Sequence, residues 1–176
     1  ITEQIEEFRD EEEQLLTQLP LGGSQYFKLW FDEEKKRPVV EFLPIDRVIL
    51  PFAATNFYTA QRAAEVHEIT AHELERRVRS GMYRDVDLSP SGMEPEFSEA
   101  ARANDKIEGR TATSYNEDGL RTIFEIYTHL DFGDGMEPYI ISIDKSTRKA
   151  LSLYRNWEPE DERRKELDWI VEFPFV

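Results

Sequence analysis

Apolar residues recur at helical spacing at the beginning of the chain. They fall near one face of a helix over residues 2–19, and Pro20 followed by Gly22 and Gly23 predicts its end. The first turns of this segment are acidic, which suits the positive end of a helix dipole. We therefore predict an acidic N-terminal helix within residues 1–20. The apolar positions on its shared face are Ile1, Ile5, Phe8, Leu15, Leu16 and Leu19.

Segments in which apolar and polar residues alternate follow the helix and predict short strands. Polar turns separate several neighbouring segments, and the clearest of them, residues 32–38, predicts the tip of a hairpin. Consecutive strands joined by such turns favour antiparallel pairing. The predicted strands cover residues 24–31, 39–43, 47–50, 63–69, 122–130, 139–144, 150–154 and 169–173.

A second helix is predicted between the strand segments. Thr70 and Glu73 have the spacing of a capping box, and Gly81 stands where a helix over residues 70–80 would end. Beyond this helix the composition shifts to Ser, Pro, Gly, Asn and acidic residues over residues 85–118. This shift predicts a long polar connection.

Together these elements predict an α+β fold. It consists mainly of antiparallel sheet, built from short hairpin-connected strands, with an N-terminal helix and one or two short helices. We expect residues 21–176 to form one domain. The connection at 85–118 is expected to be an insertion or a mobile segment, with a weak helix near residues 96–102.

Charge is the most unbalanced property of the sequence. The 176 residues include 22 basic and 37 acidic side chains, which gives a net charge of −15. Proteins that grip nucleic acid need clustered Lys and Arg to displace phosphate counterions, so this composition argues against nonspecific DNA binding. The absence of cysteine excludes disulfides and thiolate metal sites.

Both ends of the sequence are informative. The amino terminus is acidic, unlike a signal or transit peptide, and it lacks an initiator Met. The chain ends on an apolar, strand-like run at Phe175 and Val176. We expect both ends to be cut from a longer polypeptide. No apolar run reaches the roughly 18 residues of a transmembrane helix, so no membrane span is predicted.

The three histidines are the first candidates for chemistry. His72 and Glu73 begin like the helix of a zinc protease, but Arg76 stands where the second histidine would be needed. His67 and His129 fall in predicted strands. There we favour a hydrogen-bonded sheet residue over a metal ligand or a general base.

Two further groups of polar residues have candidate spacings. Asp131, Asp134 and Glu137 surround a glycine-containing turn and could hold a hard cation, but their spacing is not that of a calcium loop, and a hairpin explains the glycines. Ser146 and Lys149 have a Ser-x-x-Lys spacing within a polar turn, without a supporting motif.

Basic residues concentrate once, at Arg76, Arg77 and Arg79. We interpret this group as a solvated helix face or one that meets an acidic neighbour. We assign no catalytic, cofactor-binding or metal-binding residue and no cofactor, and we predict that the protein is not an enzyme.

Several stretches, taken in chain order, carry a resemblance to a known family. They are Leu15-Leu16, Gly22-Gly23-Ser24, Phe27-Lys28, 32–39, Glu41-Phe42-Leu43-Pro44 with Asp46, Val48-Ile49-Leu50-Pro51, Ala54-Thr55, Glu73-Leu74, 80–86, Tyr127, Leu130-Asp131, 138–144, Leu151-Ser152-Leu153 and Arg155-Asn156-Trp157. In order and spacing they resemble the portal proteins of tailed bacteriophages, particularly the short-tailed-phage and prophage type. The resemblance spans roughly residues 12–176.

The resemblance implies a structural role. It implies a twelve-fold ring of the full-length protein at one capsid vertex, which docks the terminase and the tail and contacts capsid and scaffolding proteins. DNA would pass through the ring without sequence-specific binding, and a net charge of −15 agrees with this passage. The location implied is the virion, and the host cytoplasm during assembly. The chain resembles the wing domain, without the stem, clip and crown.

Two other readings of the sequence are open. The chain could be a stand-alone acidic protein–protein interaction module, in which case the natural polypeptide would end near Val176. An enzyme is the third reading, and it would require convergent groups such as paired carboxylates with perturbed pKa values in a tight pocket.

Overall fold

A computed structural model describes residue 5 and residues 7–32, 35–54, 60–88, 120–133 and 135–173. Within these ranges the chain forms two α-helices, one short 3₁₀-helix and eight strands. None of the helices in the described ranges is long and apolar enough to cross a membrane. The elements are α1 (Phe8–Gly22), β1 (Gln25–Asp32), β2 (Arg37–Leu43), the 3₁₀-helix (Ile45–Arg47), β3 (Val48–Ile49), β4 (Arg62–Ile69), α2 (Ala71–Arg79), β5 (Arg121–Asp131), β6 (Met136–Asp144), β7 (Ala150–Arg155) and β8 (Trp169–Phe173).

The strands form two antiparallel sheets. The small sheet has the order β2-β1-β8, and the large sheet has the order β3-β4-β5-β6-β7. Neighbouring strands of the large sheet are consecutive in the chain, although α2 lies between β4 and β5. In the small sheet β8 is the exception, because it follows the last strand of the large sheet and pairs with β1. The predicted α+β class with antiparallel sheets is confirmed.

The N-terminal helix differs from the prediction at both ends. Among the described residues the helix begins at Phe8, after Ile5 and Glu7, and it continues through Pro20 to Gly22. The proline removes one amide donor near the end of the helix, where few hydrogen bonds remain to be lost. The helix is followed by Gly23, whose φ of 80° is costly for residues with a side chain.

The strand predictions agree with the structure apart from their ends. The hairpin of β1 and β2 and the strands β4, β5, β7 and β8 lie where the alternation predicts them. The third strand is shorter than predicted, because Ile45–Arg47 form a 3₁₀ turn and only Val48–Ile49 pair with β4. Strand β6 begins three residues earlier than predicted. The weak helix near residues 96–102 and residues 89–118 of the polar connection lie outside the described residues.

The second helix has the predicted signals at both ends. The hydroxyl of Thr70 accepts a hydrogen bond of 3.2 Å from the amide of Glu73. Gly81 follows the helix with a φ of 80°. These features confirm the Thr70 cap and the glycine stop, while the Glu73 carboxylate contacts Arg76 and Arg77.

Three apolar clusters hold these layers together. The first joins α1 to the small sheet around Leu15, and the second joins α2 and the segment after it to the large sheet around Ile123. The third lies between the sheets: Leu43 packs with residues of the small sheet, and Val48 and Tyr127 of the large sheet pack against the same cluster.

A buried asparagine connects the end of the large sheet to the beginning of β8. The Asn156 amide group donates to the carbonyl of Asp168 at 2.7 Å. Its side-chain oxygen accepts from the amides of Leu167 and Asp168 at 3.1 and 2.8 Å. We call this arrangement the Asn156 clamp, and it closes the loop of residues 157–166 at its base.

Truncation of Leu43 tests the contact between the sheets. Its side chain is fully buried, so Leu43→Ala should lower the free energy of unfolding by about 2–5 kcal/mol. Urea denaturation measures this change. Leu21→Ala is the matched control, because Leu21 is 80% exposed and its loss should change stability by less than about 0.5 kcal/mol. Equal losses in the two variants would contradict the position of Leu43.

Candidate functional site

Charged side chains lie between the two sheets, where apolar residues would be expected. Glu65 on β4 and Glu125 on β5 stand directly opposite each other in the register of the large sheet. Two like charges in this position repel each other. Lys28 of the small sheet compensates: its Nζ lies 2.9 Å from Glu65 Oε2 and 2.7 Å from Glu125 Oε1.

Alternation along the strands explains why these charges point inward. In β4, Glu65 and His67 occupy the same face as the buried residues Ala63 and Ile69. Lys28 lies within an aromatic-rich strand and leaves only 13% of its side chain exposed. Each charged side chain therefore points inward because it shares a strand face with buried or aromatic residues.

Three more side chains complete the group, which we call the Lys28 cluster. Arg47 Nη2 lies 2.7 Å from Glu65 Oε1, and the Tyr127 hydroxyl donates to Glu125 Oε1 at 2.7 Å. His67 Nε2 lies 3.3 Å from Glu65 Oε1 and 3.8 Å from Glu125 Oε2. The cluster consists of Lys28, Arg47, Glu65, His67, Glu125 and Tyr127.

Burial and charge act in opposite directions on the pKa values of the cluster. Burial alone would raise the pKa of Glu65, whose side chain is fully buried, but contact with His67 and the charge of Lys28 lower it to about 2. Burial would likewise raise the pKa of Glu125, but the charge of Lys28 lowers it below its ordinary value. Burial disfavours the Lys28 ammonium, yet the charges of Glu125 and Glu65 raise its pKa. All three groups are therefore ionised at neutral pH.

An open cleft leads to the cluster between the small sheet and α2. Lys28, His67 and Glu125 contribute to its wall, together with Asp168 at the start of β8. Burial raises the pKa of Asp168, although the charge of Lys28 acts in the opposite direction. The cleft thus combines ionised carboxylates, an imidazole and a carboxyl that keeps its proton more readily than usual.

The three histidines lie in different environments. His67 belongs to the Lys28 cluster, and its Nε2 is buried without a well-aligned hydrogen bond to any described residue. His72 is exposed on α2. His129 is exposed on β5, with its Nε2 3.6 Å from a Glu166 oxygen. The structure therefore does not bring the three together.

The carboxylates around the glycine turn have partners of their own. Asp131 accepts hydrogen bonds from the amides of Gly133 and Gly135, which shapes the turn. Glu137 is buried and pairs with Arg164 at 3.0 Å. Asp134 lies outside the described residues. The described part of this group has the geometry of a hairpin turn.

The Ser-x-x-Lys spacing also has a structural explanation. Ser146 and Thr147 donate their hydroxyls to the buried carboxylate of Asp144, and the Lys149 ammonium contacts the carbonyl of Asp87. Ser146 and Lys149 therefore bind different residues.

The basic residues of α2 meet acidic neighbours on the same helix. Arg76 and Arg77 contact Glu73, and Arg79 contacts Glu75. This arrangement agrees with the interpretation of Arg76, Arg77 and Arg79 as a helix face with acidic partners.

Sequence reasoning missed most of the Lys28 cluster. The available signal was a charge inside a strand pattern: Lys28 lies between Phe27 and Leu29, and Glu125 lies between Phe124 and Ile126. A charged residue in such a run requires a partner if its face is buried. The pattern did not identify that partner.

The fold and the cluster define an α+β domain whose two antiparallel sheets are joined by a buried ionic group. No protein-family model matches the chain, and no curated protein matches it.

Removal of the central cation should be costly. Lys28→Met removes the ammonium group between the carboxylates of Glu65 and Glu125. We expect the free energy of unfolding to fall by about 3–5 kcal/mol. Denaturation in urea measures the loss. Arg9→Met removes a cation whose side chain is 86% exposed and should have an effect below about 1 kcal/mol. A similarly small effect at Lys28 would show that the cluster does not stabilise the fold.

The pKa of Glu65 predicts acid sensitivity. It is about 2 in the folded protein against an ordinary value of 4.5. A carboxyl with a lowered pKa contributes stability that is complete above its unfolded value and lost as the pH falls through its folded value. The free energy of unfolding should therefore fall as the pH decreases from about 5 to about 2.

The Glu65→Gln variant should show a smaller fall in stability over this range, because it cannot take up the proton. Leu43→Ala is the control, since it destabilises the protein without removing a carboxylate and should keep the wild-type pH slope. Urea denaturation at several pH values measures both slopes. An unchanged slope in Glu65→Gln would contradict the prediction.

Proposed function

We propose that this chain is the wing-like domain of a phage portal protein, a structural part of a ring through which DNA enters and leaves the capsid. The observation that carries the proposal is the ordered resemblance over roughly residues 12–176. In this role the chain has no catalytic task. Its partners are neighbouring copies, capsid and scaffolding proteins, the terminase and the tail.

The connection between the two sheets supports a structural role. A ring subunit must hold its contact surfaces in a fixed relation while DNA moves past them. Here the sheets share an apolar cluster around Leu43 and an ionic contact through Lys28. The apolar contact supplies stabilisation without direction, whereas the ionic contact fixes distance and orientation.

The described surface also offers two patches of different character, as a ring requires. A cleft at the β7 edge combines exposed Phe132 and Leu153 with the guanidinium groups of Arg155 and Arg164. Helix α1 exposes acidic residues together with Leu16 and Leu21. Closed rings form when one patch of each copy binds a different patch of the next.

Charge complementarity favours a contact between these two patches. Arg164 pairs with Glu137 in the cleft wall, so the cleft provides the Arg155 guanidinium for a partner, and α1 provides carboxylates beside exposed leucines. We therefore assign the α1 surface of one copy to the β7-edge cleft of its neighbour. The net charge of −15 keeps the domain from holding DNA.

Imaging of the natural polypeptide that carries this sequence tests the proposal. Intact mass should give a chain much longer than 176 residues, and negative-stain images should show rings with a central hole. A chain that ends near Val176 and forms no rings would contradict the portal role. It would favour the stand-alone acidic interaction module instead.

A charge-reversal pair tests the assigned contact separately. Arg155→Glu should weaken assembly of the natural polypeptide, because an acidic α1 would then meet an acidic cleft. Arg148→Glu makes the same charge change in the turn between β6 and β7 and is the control. Native mass spectrometry measures the assembled fraction. Equal assembly of both variants would contradict the assigned contact without contradicting the proposal that the protein forms a ring.

A further inference from the structure

Three ligand-type atoms converge inside the Lys28 cluster. Lys28 uses only one oxygen of each carboxylate, Glu65 Oε2 and Glu125 Oε1. The other oxygens, Glu65 Oε1 and Glu125 Oε2, face His67 Nε2 at 3.3 and 3.8 Å. One ligand-type atom from each of the three residues lies within 4.8 Å of the other two.

The shorter of these separations matches the spacing of ligands around a tetrahedral ion. Bonds of about 2.0–2.2 Å from zinc to nitrogen and oxygen place neighbouring ligand atoms roughly 3.3–3.5 Å apart. The distance from His67 Nε2 to Glu65 Oε1 falls within this range, and the distance to Glu125 Oε2 requires a shift of a few tenths of an ångström.

The His67 nitrogen gives an independent indication. Its Nε2 is buried, and it makes no well-aligned hydrogen bond to any residue in the described part of the chain. Buried polar atoms almost always have a partner, which can be protein, water or an ion. An imidazole nitrogen aimed at two carboxylate oxygens is a donor set that transition metals accept.

The surrounding side chains act as outer partners. Arg47 binds the same Glu65 oxygen that faces His67, and Lys28 and Tyr127 hold the remaining oxygens of the two carboxylates. Hydrogen bonds of this kind orient the ligands of metal sites. His67 and Glu125 line the open cleft, which therefore provides a path from solvent toward the three residues.

We propose that Glu65, His67 and Glu125 form a binding site for a divalent transition-metal ion, for which Zn²⁺ is the best match. Lys28 and Arg47 already balance the two carboxylates, so the ion adds positive charge to the site. We therefore expect weaker binding than in structural zinc sites made of thiolates and histidines. The proposal does not depend on the portal role.

Titration of the metal-free chain with Zn²⁺ tests the site. After dialysis against a chelator, calorimetry should show one saturable equivalent, and Co²⁺ should give the intense visible absorption of a four-coordinate ion. His67→Gln should weaken Zn²⁺ binding at least about tenfold, and Glu125→Gln should weaken it in the same direction.

The other two histidines provide matched controls. His72→Gln and His129→Gln change exposed imidazoles and should bind Zn²⁺ like the wild type. Circular dichroism confirms that each variant is folded. The proposal is overturned if the wild type binds no saturable equivalent, if its Co²⁺ complex has the weak spectrum of a six-coordinate ion, or if folded His67→Gln binds Zn²⁺ as tightly as the wild type.

Discussion

The arrangement of the two sheets depends on one ammonium group placed between two facing carboxylates. Glu65 and Glu125 occupy opposite positions on adjacent strands, where their charges would repel each other. The compensating Lys28 belongs to the other sheet, so the large sheet is relieved of this repulsion only when the small sheet is docked in one position. Apolar packing at Leu43 stabilises the same interface but is less selective about direction. We infer that the ionic contact determines the position of the small sheet relative to the large sheet.

Local patterns predicted most of the strands and the signals at the two ends of α2. Alternation is a property of a single strand, and the Thr70 cap and Gly81 are properties of a few residues, so each could be read without knowledge of the fold. The end of α1 was misjudged because Pro20 was taken as a stop, whereas the helix continues to Gly22. The pairing of β8 with β1 has no local signal, because it joins segments at opposite ends of the chain.

The candidate site was less predictable than the fold for the same reason. The carboxylates of Asp131 and Glu137 are close in sequence, yet the structure gives each a different partner. Glu65 and Glu125 are distant in sequence, and they meet because β4 pairs with β5. Whether a charge inside a strand faces solvent or a partner depends on the layer that covers the strand. His67 faces Glu65 of its own strand and Glu125 of the neighbouring strand, whereas the Lys28 ammonium that binds both carboxylates comes from the other sheet.

The Asn156 clamp has a consequence for how this domain could change over time. One buried side chain holds both ends of the 157–166 loop together. The contacts of Arg164 with Glu137 and of Glu166 with His129 hold its second half, so the path from β7 to β8 does not depend on the tip. Residues could be inserted or replaced at the tip while Asp168 and β8 stay in place. The loop is therefore a position where a lineage could acquire new binding specificity at little cost to the scaffold.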